Sequence, residues 1–282
     1  MNCNATIGAM RVGLVPAALL AIVLGAVSVA AAEHPSLAKA RALYNALDFD
    51  GAIAAAELAR ADPASADAGA LVAARARLER HRLRNGDPAD LTAARDALTK
   101  IRIAALSPRD QLDLLVGLGQ ALYIGDAFGA AAELFDVAWR RATTLSALSD
   151  RERSMLLDWW ANAVDREAQT VTAPRRTVLL EPVIVRMEDE LRDDPGNATA
   201  NYWLAVAARG AGDTDRAWNA AIAAWVRAPL QPSSMATLRS NIDRFAITVL
   251  IPERARTHPV REQQTALSEL QAEWEQIKQQ WP

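Results

Sequence analysis

Hydrophobic positions recur at helical spacing along almost the whole chain. The best-patterned stretch runs from Leu115 to Ala138. Leu115, Leu118 and Leu122 fall 3 and 4 residues apart, a break follows at Gly125-Asp126, and Phe128, Ala131, Phe135 and Ala138 resume the rhythm. Each half predicts a helix with one apolar stripe, and the short break folds the two into an antiparallel hairpin. Two helices cross closely only where the side chains at the crossing are small. Gly119 and Ala131 meet that need, with Leu118 beside them, and Phe135 and Ala138 continue the second stripe.

Weaker copies flank this hairpin. From Ser36 to about Ala61, Ala40, Leu43 and Leu47 are expected to face inward on a first helix. Asp48 marks the turn, and Ala52, Ile53, Ala56 and Ala59 line a second helix. Over 65–102, Leu71, Ala74 and Leu78 mark a helix ended by Asn85-Gly86, and Asp87-Pro88 opens the next, a good cap and first-turn pair. Ser107-Pro108 opens the central hairpin in the same way. Ser149 with Glu152 reads as a capping box before Met155, Leu156, Trp159 and Trp160. Pro182 is expected to begin a helix at Glu181-Pro182, because a proline inside one costs about 3 kcal/mol. Trp203, Leu204 and Ala205, a turn at Gly212-Asp213, then Ala217, Ala221 and Ala224 make another clear hairpin closed by Pro229. A helix near 234–250, a break at Pro252 and a last helix from Pro259 to Trp281 complete the chain. Leu267, Leu270, Trp274, Ile277 and Trp281 form a narrow seam in that last helix.

The small residues and turns of these hairpins resemble the tetratricopeptide repeat, most clearly around Gly119, Ala131, Phe135 and Ala138 and again around Ala217 and Ala224. The anchor alanines Ala52, Ala131 and Ala217 stand 79 and 86 residues apart, room for one degenerate hairpin between each clear pair. The resemblance covers most of residues 36–229. It implies an all-α fold: a right-handed α-α superhelix of five or six hairpins over 33–230, capped by helices in 231–282. A polar outer face at Glu273, Glu275, Gln276 and Gln279 suits a terminal cap; a coiled-coil seam making a homodimer through 260–281 is the alternative. In this family the first helices line a concave groove. Carried over, the groove positions are Arg41, Tyr44 and Asn45, then Gln120 and Tyr123, then Tyr202 and Arg209. The implied function is a scaffold that binds a protein or peptide partner.

Composition narrows the setting. The 282 residues carry a net charge of −3, so nucleic acid is not an expected partner. The many arginines, against lysine only at positions 39, 100 and 278, fit the codon bias of a GC-rich genome. Arg11, an apolar run from Val12 and Ala30-Ala31-Ala32 before Glu33 read as a signal peptide over 1–32 cleaved after Ala32. The expected location is periplasmic or secreted. An uncleaved leader anchored in the membrane is the rival, since the run approaches the roughly 20 residues that span a bilayer. The only cysteine, Cys3, lies in the leader, so the mature chain has no thiol for a disulfide or metal.

Catalytic signatures are missing. There is no glycine-rich nucleotide loop, no G-x-S-x-G and no H-E-x-x-H. His34, His81 and His258 do not pair as metal ligands, and Glu188, Asp189, Glu190, Asp193 and Asp194 lack the alternation of a calcium loop. No cofactor, no metal and no enzymatic activity are expected. The alternative is a helical-groove enzyme or small-ligand binder, which a buried acid pair with raised pKa in a pocket would mark. Trp139, Trp159, Trp160, Trp203, Trp218 and Trp225 lie in apolar patterns and are expected mostly in the core.

Overall fold

The computed structural model describes residues 33–83, 86–145, 148–230 and 235–282, so the expected leader over 1–32 and its expected cleavage site lie outside the described residues. Among the described residues every regular element is a helix. The helices α1 (Pro35–Asn45) and α2 (Phe49–Ala59) form the first hairpin. α3 (Ala66–Leu83) with α4 (Pro88–Lys100), α5 (Pro108–Ile124) with α6 (Phe128–Leu145), α7 (Asp150–Gln169) with α8 (Ala173–Asp193), and α9 (Ala198–Ala211) with α10 (Thr214–Arg227) follow. A final pair joins α11 (Met235–Phe245), a π-type segment (Ala246–Leu250) and α12 (Ile251–Arg256) to α13 (Gln263–Gln280).

Local chemistry sets the boundaries. Asp48, Asp87, Ser107, Ser149, Asn197 and Asp213 each accept a backbone N–H of the helix they open. Ser149 and Glu152 form the full reciprocal box. One turn is built three times. Leu47, Asp126 and Gly212 hold left-handed φ of 63°, 60° and 94°. The next N–H reaches back five residues each time, Asp48 to Leu43 O (3.0 Å), Ala127 to Leu122 O (3.0 Å) and Asp213 to Ala208 O (2.9 Å). This closes the orphan carbonyls of α1, α5 and α9 identically.

That turn corrects the first expectation. Leu47 does not face inward; it is 64% exposed, because the left-handed bend swings it away from the stripe. Pro182 does not begin a helix either. It sits inside α8. Leu180, Val183 and Met187 bury one face that runs straight through it, and that continuous burial outweighs the proline's cost. Its ring lies on the exposed side, where water can reach the carbonyl that lost its donor. Nor does Pro252 break the chain. A widened turn precedes it, in which the Ile251 N–H bonds Ala246 O five residues back, and the helix continues with the ring in its first turn.

Successive first helices pack on one another, α1 on α3, α3 on α5, α5 on α7 and α7 on α9. The second helices of successive hairpins approach less closely among the described residues. The first helices therefore share one continuous face. From Leu112 to Trp274 a single apolar core runs through the later helices. Before it, three smaller clusters serve α1–α5. The seam of α13 turns inward, with Trp274 wholly buried against Trp218 and Trp225, both at 5.7 Å. None of the described helices is long and apolar enough to cross a membrane.

Candidate functional site

The face shared by the first helices carries a run of partnered polar and aromatic side chains. On α1, Tyr44 meets the Phe49 ring edge-on at 5.9 Å, and the Arg75 guanidinium lies over it at 5.0 Å. Burial pushes the Tyr44 hydroxyl above its ordinary pKa. Arg75 on α3 bonds Asp113 on α5 at 2.9 Å. Glu79 accepts from Arg82 (2.7 Å) and from Gln120 Nε2 (3.1 Å). Arg82 then lies 5.9 Å over the Trp159 ring on α7. Trp159 packs edge-on against Tyr123 at 5.2 Å, whose hydroxyl donates to Asn162 Oδ1 at 2.9 Å. Two sets of contacts, Tyr44–Arg75–Asp113 and Gln120–Glu79–Arg82–Trp159–Tyr123, thus span the face from α1 to α7.

On α7 the character changes. Asp158, Asn162 and Asp165 repeat at i, i+4 and i+7, one stripe of the helix. Asp158 accepts from Trp203 Nε1 at 2.8 Å, and Asp165 accepts from Gln169 Nε2 at 2.6 Å. Among the described residues neither carboxylate has an arginine or lysine in ion-pair range, unlike Asp110, Asp113, Glu79, Glu152 and Glu253. Asp158 keeps open surface to solvent, and Asp165 is half-buried. Desolvation raises the pKa of both aspartates above the ordinary carboxylate value, and charges from arginines further off offset part of the rise. The same desolvation, with Asp158 and Asp165 nearby, pushes the Tyr202 hydroxyl to about 12. Next to Asp165 the surface deepens into a cavity of about 310 Å³ that also touches Gln169, Arg176, Arg209 and Gly210. The two aspartates lie two turns apart, about 10.5 Å along the helix axis. That separation suits two contact points better than one shared proton.

The family-derived groove residues receive different placements. Tyr44, Tyr123 and Tyr202 are half-buried on this face, each edge-on to an aromatic neighbour. Gln120 lies beneath it, 3% exposed, with Oε1 unpartnered. Arg41 is tied to Asp110 at 2.8 Å and Arg209 Nε to Glu253 at 2.8 Å, so both act as braces. Asn45 is exposed at the end of α1. The crossing residues Gly119, Ala131, Phe135, Ala138, Ala217 and Ala224 are buried, and Leu118 is half-buried. A Cβ on Gly119 would stand 2.6 Å from the Phe135 ring, which explains the glycine. Sequence reasoning missed Arg75, Glu79 and Arg82, whose hairpin carries no tyrosine, and it missed the Asp158–Asn162–Asp165 stripe. The stripe's 4-and-3 spacing beside Trp159 was the available signal.

Among the described residues no group of three or more His, Cys, Asp or Glu side chains could hold a metal ion. No protein-family model, no curated protein and no solved structure matches this chain.

Proposed function

We propose that the chain is an exported, tetratricopeptide-like scaffold whose array curves as a right-handed superhelix with the first helices inside. The inner face takes an extended segment of a protein partner. One observation carries this reading. Asp158 and Asp165 are charged groups on that face not committed to an arginine, and they stand beside the half-exposed rings of Tyr123, Trp159 and Tyr202. Flat aromatic area with free acceptors is what a peptide's side chains and N–H groups require. Among the described residues neither carboxylate is spent on an ion pair, so both keep acceptor capacity toward that face, Asp158 while it also serves the buried Trp203 indole. Export rests on the leader, and the partner then belongs to the cell envelope or its surroundings.

The test is selection of peptides from a random displayed library against the protein, followed by affinity measurement with Trp159→Ala and with Asp158→Asn plus Asp165→Asn. Selected peptides should bind at least about tenfold more weakly to both variants. Enrichment of no peptide, or equal affinity for wild type and variants, would remove the inner face as the site. A second reading has its own observation, the cavity of about 310 Å³ at Asp165. A small polar ligand held there would protect Gln169 and Gly210 amides from exchange, without protecting α3 or α5.

A further inference from the structure

The cavity of about 310 Å³ beside Asp165 holds two opposite charges that do not meet. Asp165 comes from α7, Arg176 from α8, and Arg209 with Gly210 from α9. Arg209 is matched by Glu253, which accepts from its Nε at 2.8 Å. Asp165 and Arg176 have no ion-pair partner among the described residues, in each other or elsewhere. The Arg176 charge is still near enough to offset part of the rise in the Asp165 pKa. We propose that this cavity binds a free α-amino acid as its zwitterion, with the ammonium at Asp165 and the carboxylate at Arg176. This rests on the reading of the cavity as a small-ligand site and names the class of ligand.

Both charges are fixed before a ligand arrives. Arg176 Nε donates to Ala168 O at 3.2 Å, and its Nη2 donates to Val171 O at 3.0 Å. Those bonds serve the end carbonyls of α7 and leave Nη1, the other terminal nitrogen, with donors to spare. Asp165 takes Gln169 Nε2 on Oδ2 at 2.6 Å, which leaves Oδ1 for an ammonium group. A cationic ligand would answer only the aspartate, an anionic one only the arginine, and a neutral one neither. A zwitterion answers both, with charge-assisted hydrogen bonds at each end. The floor between them is apolar. Ala168 and Leu180 are each 1% exposed. A Cβ on Gly210 would run into Leu180 Cδ1, so the glycine lets α9 close on α8 at that floor. An aliphatic side chain is its complement. The volume is at the small end for ligand pockets, which suits one amino acid better than a peptide.

The experiment titrates the whole chain by calorimetry with L-alanine, L-valine and L-leucine, and with the amide and the N-acetyl derivative of each. The amide lacks the carboxylate and the acetyl form lacks the ammonium. At least one free amino acid should bind one to one, and both its derivatives should bind at least about tenfold more weakly. Asp165→Asn should weaken the free amino acid about tenfold, and in that variant acetylation should cost nothing further, a pairing that no loss of fold produces. Trp159→Ala on the inner face should leave the affinity unchanged. Binding insensitive to Asp165→Asn, or lost in Trp159→Ala, would overturn the proposal. Equal binding of parent and derivatives, with the Gln169 and Gly210 amides protected, would overturn the zwitterion and keep the cavity as a site for polar ligands. No binding and no amide protection by any of these compounds would overturn the proposal and the reading it rests on.

Discussion

The first four helices and the last five are built from different materials. From α1 to α4 the core is three small clusters of alanine and leucine with Val72, Ile101 and Phe49, and no tryptophan. From α9 to α13 one continuous core holds Trp203, Trp218, Trp225 and Trp274. Both regions carry ion pairs, but in the early helices they brace a core without large aromatic rings. Arg80 bonds Asp50 at 2.6 Å and Asp90 at 2.5 Å, Arg77 bonds Glu57 at 2.9 Å, and Arg102 bonds Asp67 at 2.8 Å. In a stack where each hairpin touches mainly its neighbours, stability is local. The early hairpins should therefore open first, and in a salt-dependent way.

The sharpest break of this contrast is Trp274→Ala. It removes a fully buried ring and its bond to Asp243, costing about 3–5 kcal/mol. Thermal denaturation should show Tm falling by about 10 °C, with amide protection lost through α9–α13. Leu78→Ala, equally buried, should instead release α1–α4 while α9–α13 stay protected. Uniform loss in both variants would mean one cooperative unit.

A middle-sized effect belongs to the hairpin between the two regions. Gly119→Ala forces the Phe135 ring aside and should cost about 1–3 kcal/mol by chemical denaturation. Phe135→Leu should recover part of it. Gly117→Ala, whose Cβ would meet flexible Leu98 at 3.3 Å, should cost less.

Arg80→Gln strands Asp90, which is 5% exposed, and should destabilise the early helices by about 1–3 kcal/mol. The deficit against wild type should shrink in 1 M salt, which weakens the native pairs as well. Leu47→Gly relieves a left-handed leucine and should stabilise by about 0.5–1 kcal/mol, seen as a higher denaturation midpoint.

The smallest effect is in pH. Hydrogen bonding to Arg109, then to Ser149, holds Glu152 down from 4.5 to about 2. A depressed carboxylate lends its stability fully above the unfolded value and loses it as pH falls through the folded one. Glu152→Gln should flatten the stability decline between pH 4.5 and 2. Asp158 and Asp165 work the other way. Their raised values make the fold gain stability as pH drops toward their ordinary value, so Asp158→Asn should remove part of that gain.

Much of the architecture was legible because caps and stripes are local. Ser149 with Glu152, Asp87 with Pro88, and the left-handed Gly86 and Gly212 are read from neighbours in sequence. The prolines at 182 and 252 were misread because propensity counts only the helix they sit in. What keeps those helices intact is burial along α8 and a widened turn before α12. The shared face was half legible. Tyrosines marked α1, α5 and α9, whereas the chain through Arg75, Glu79 and Arg82 joins residues 31 to 77 positions away. No periodicity carries such a pairing. The arginine bias, blank as sequence, became ion pairs that lace one hairpin to the next.

The widened turn at Ala246–Leu250 gives this gene a place where reading length matters more than residue identity. It lets Leu238, Ile242 and Ala246 bury one face while Glu253, past the turn, still points at Arg209. Deleting a single codon there would remove the residue that the wide turn absorbs, and an ordinary helix would keep Glu253 aimed at Arg209. Inserting one instead, with the turn unchanged, would rotate every side chain beyond it by about 100°, and the brace between α9 and α12 would be lost without any change in its two partners.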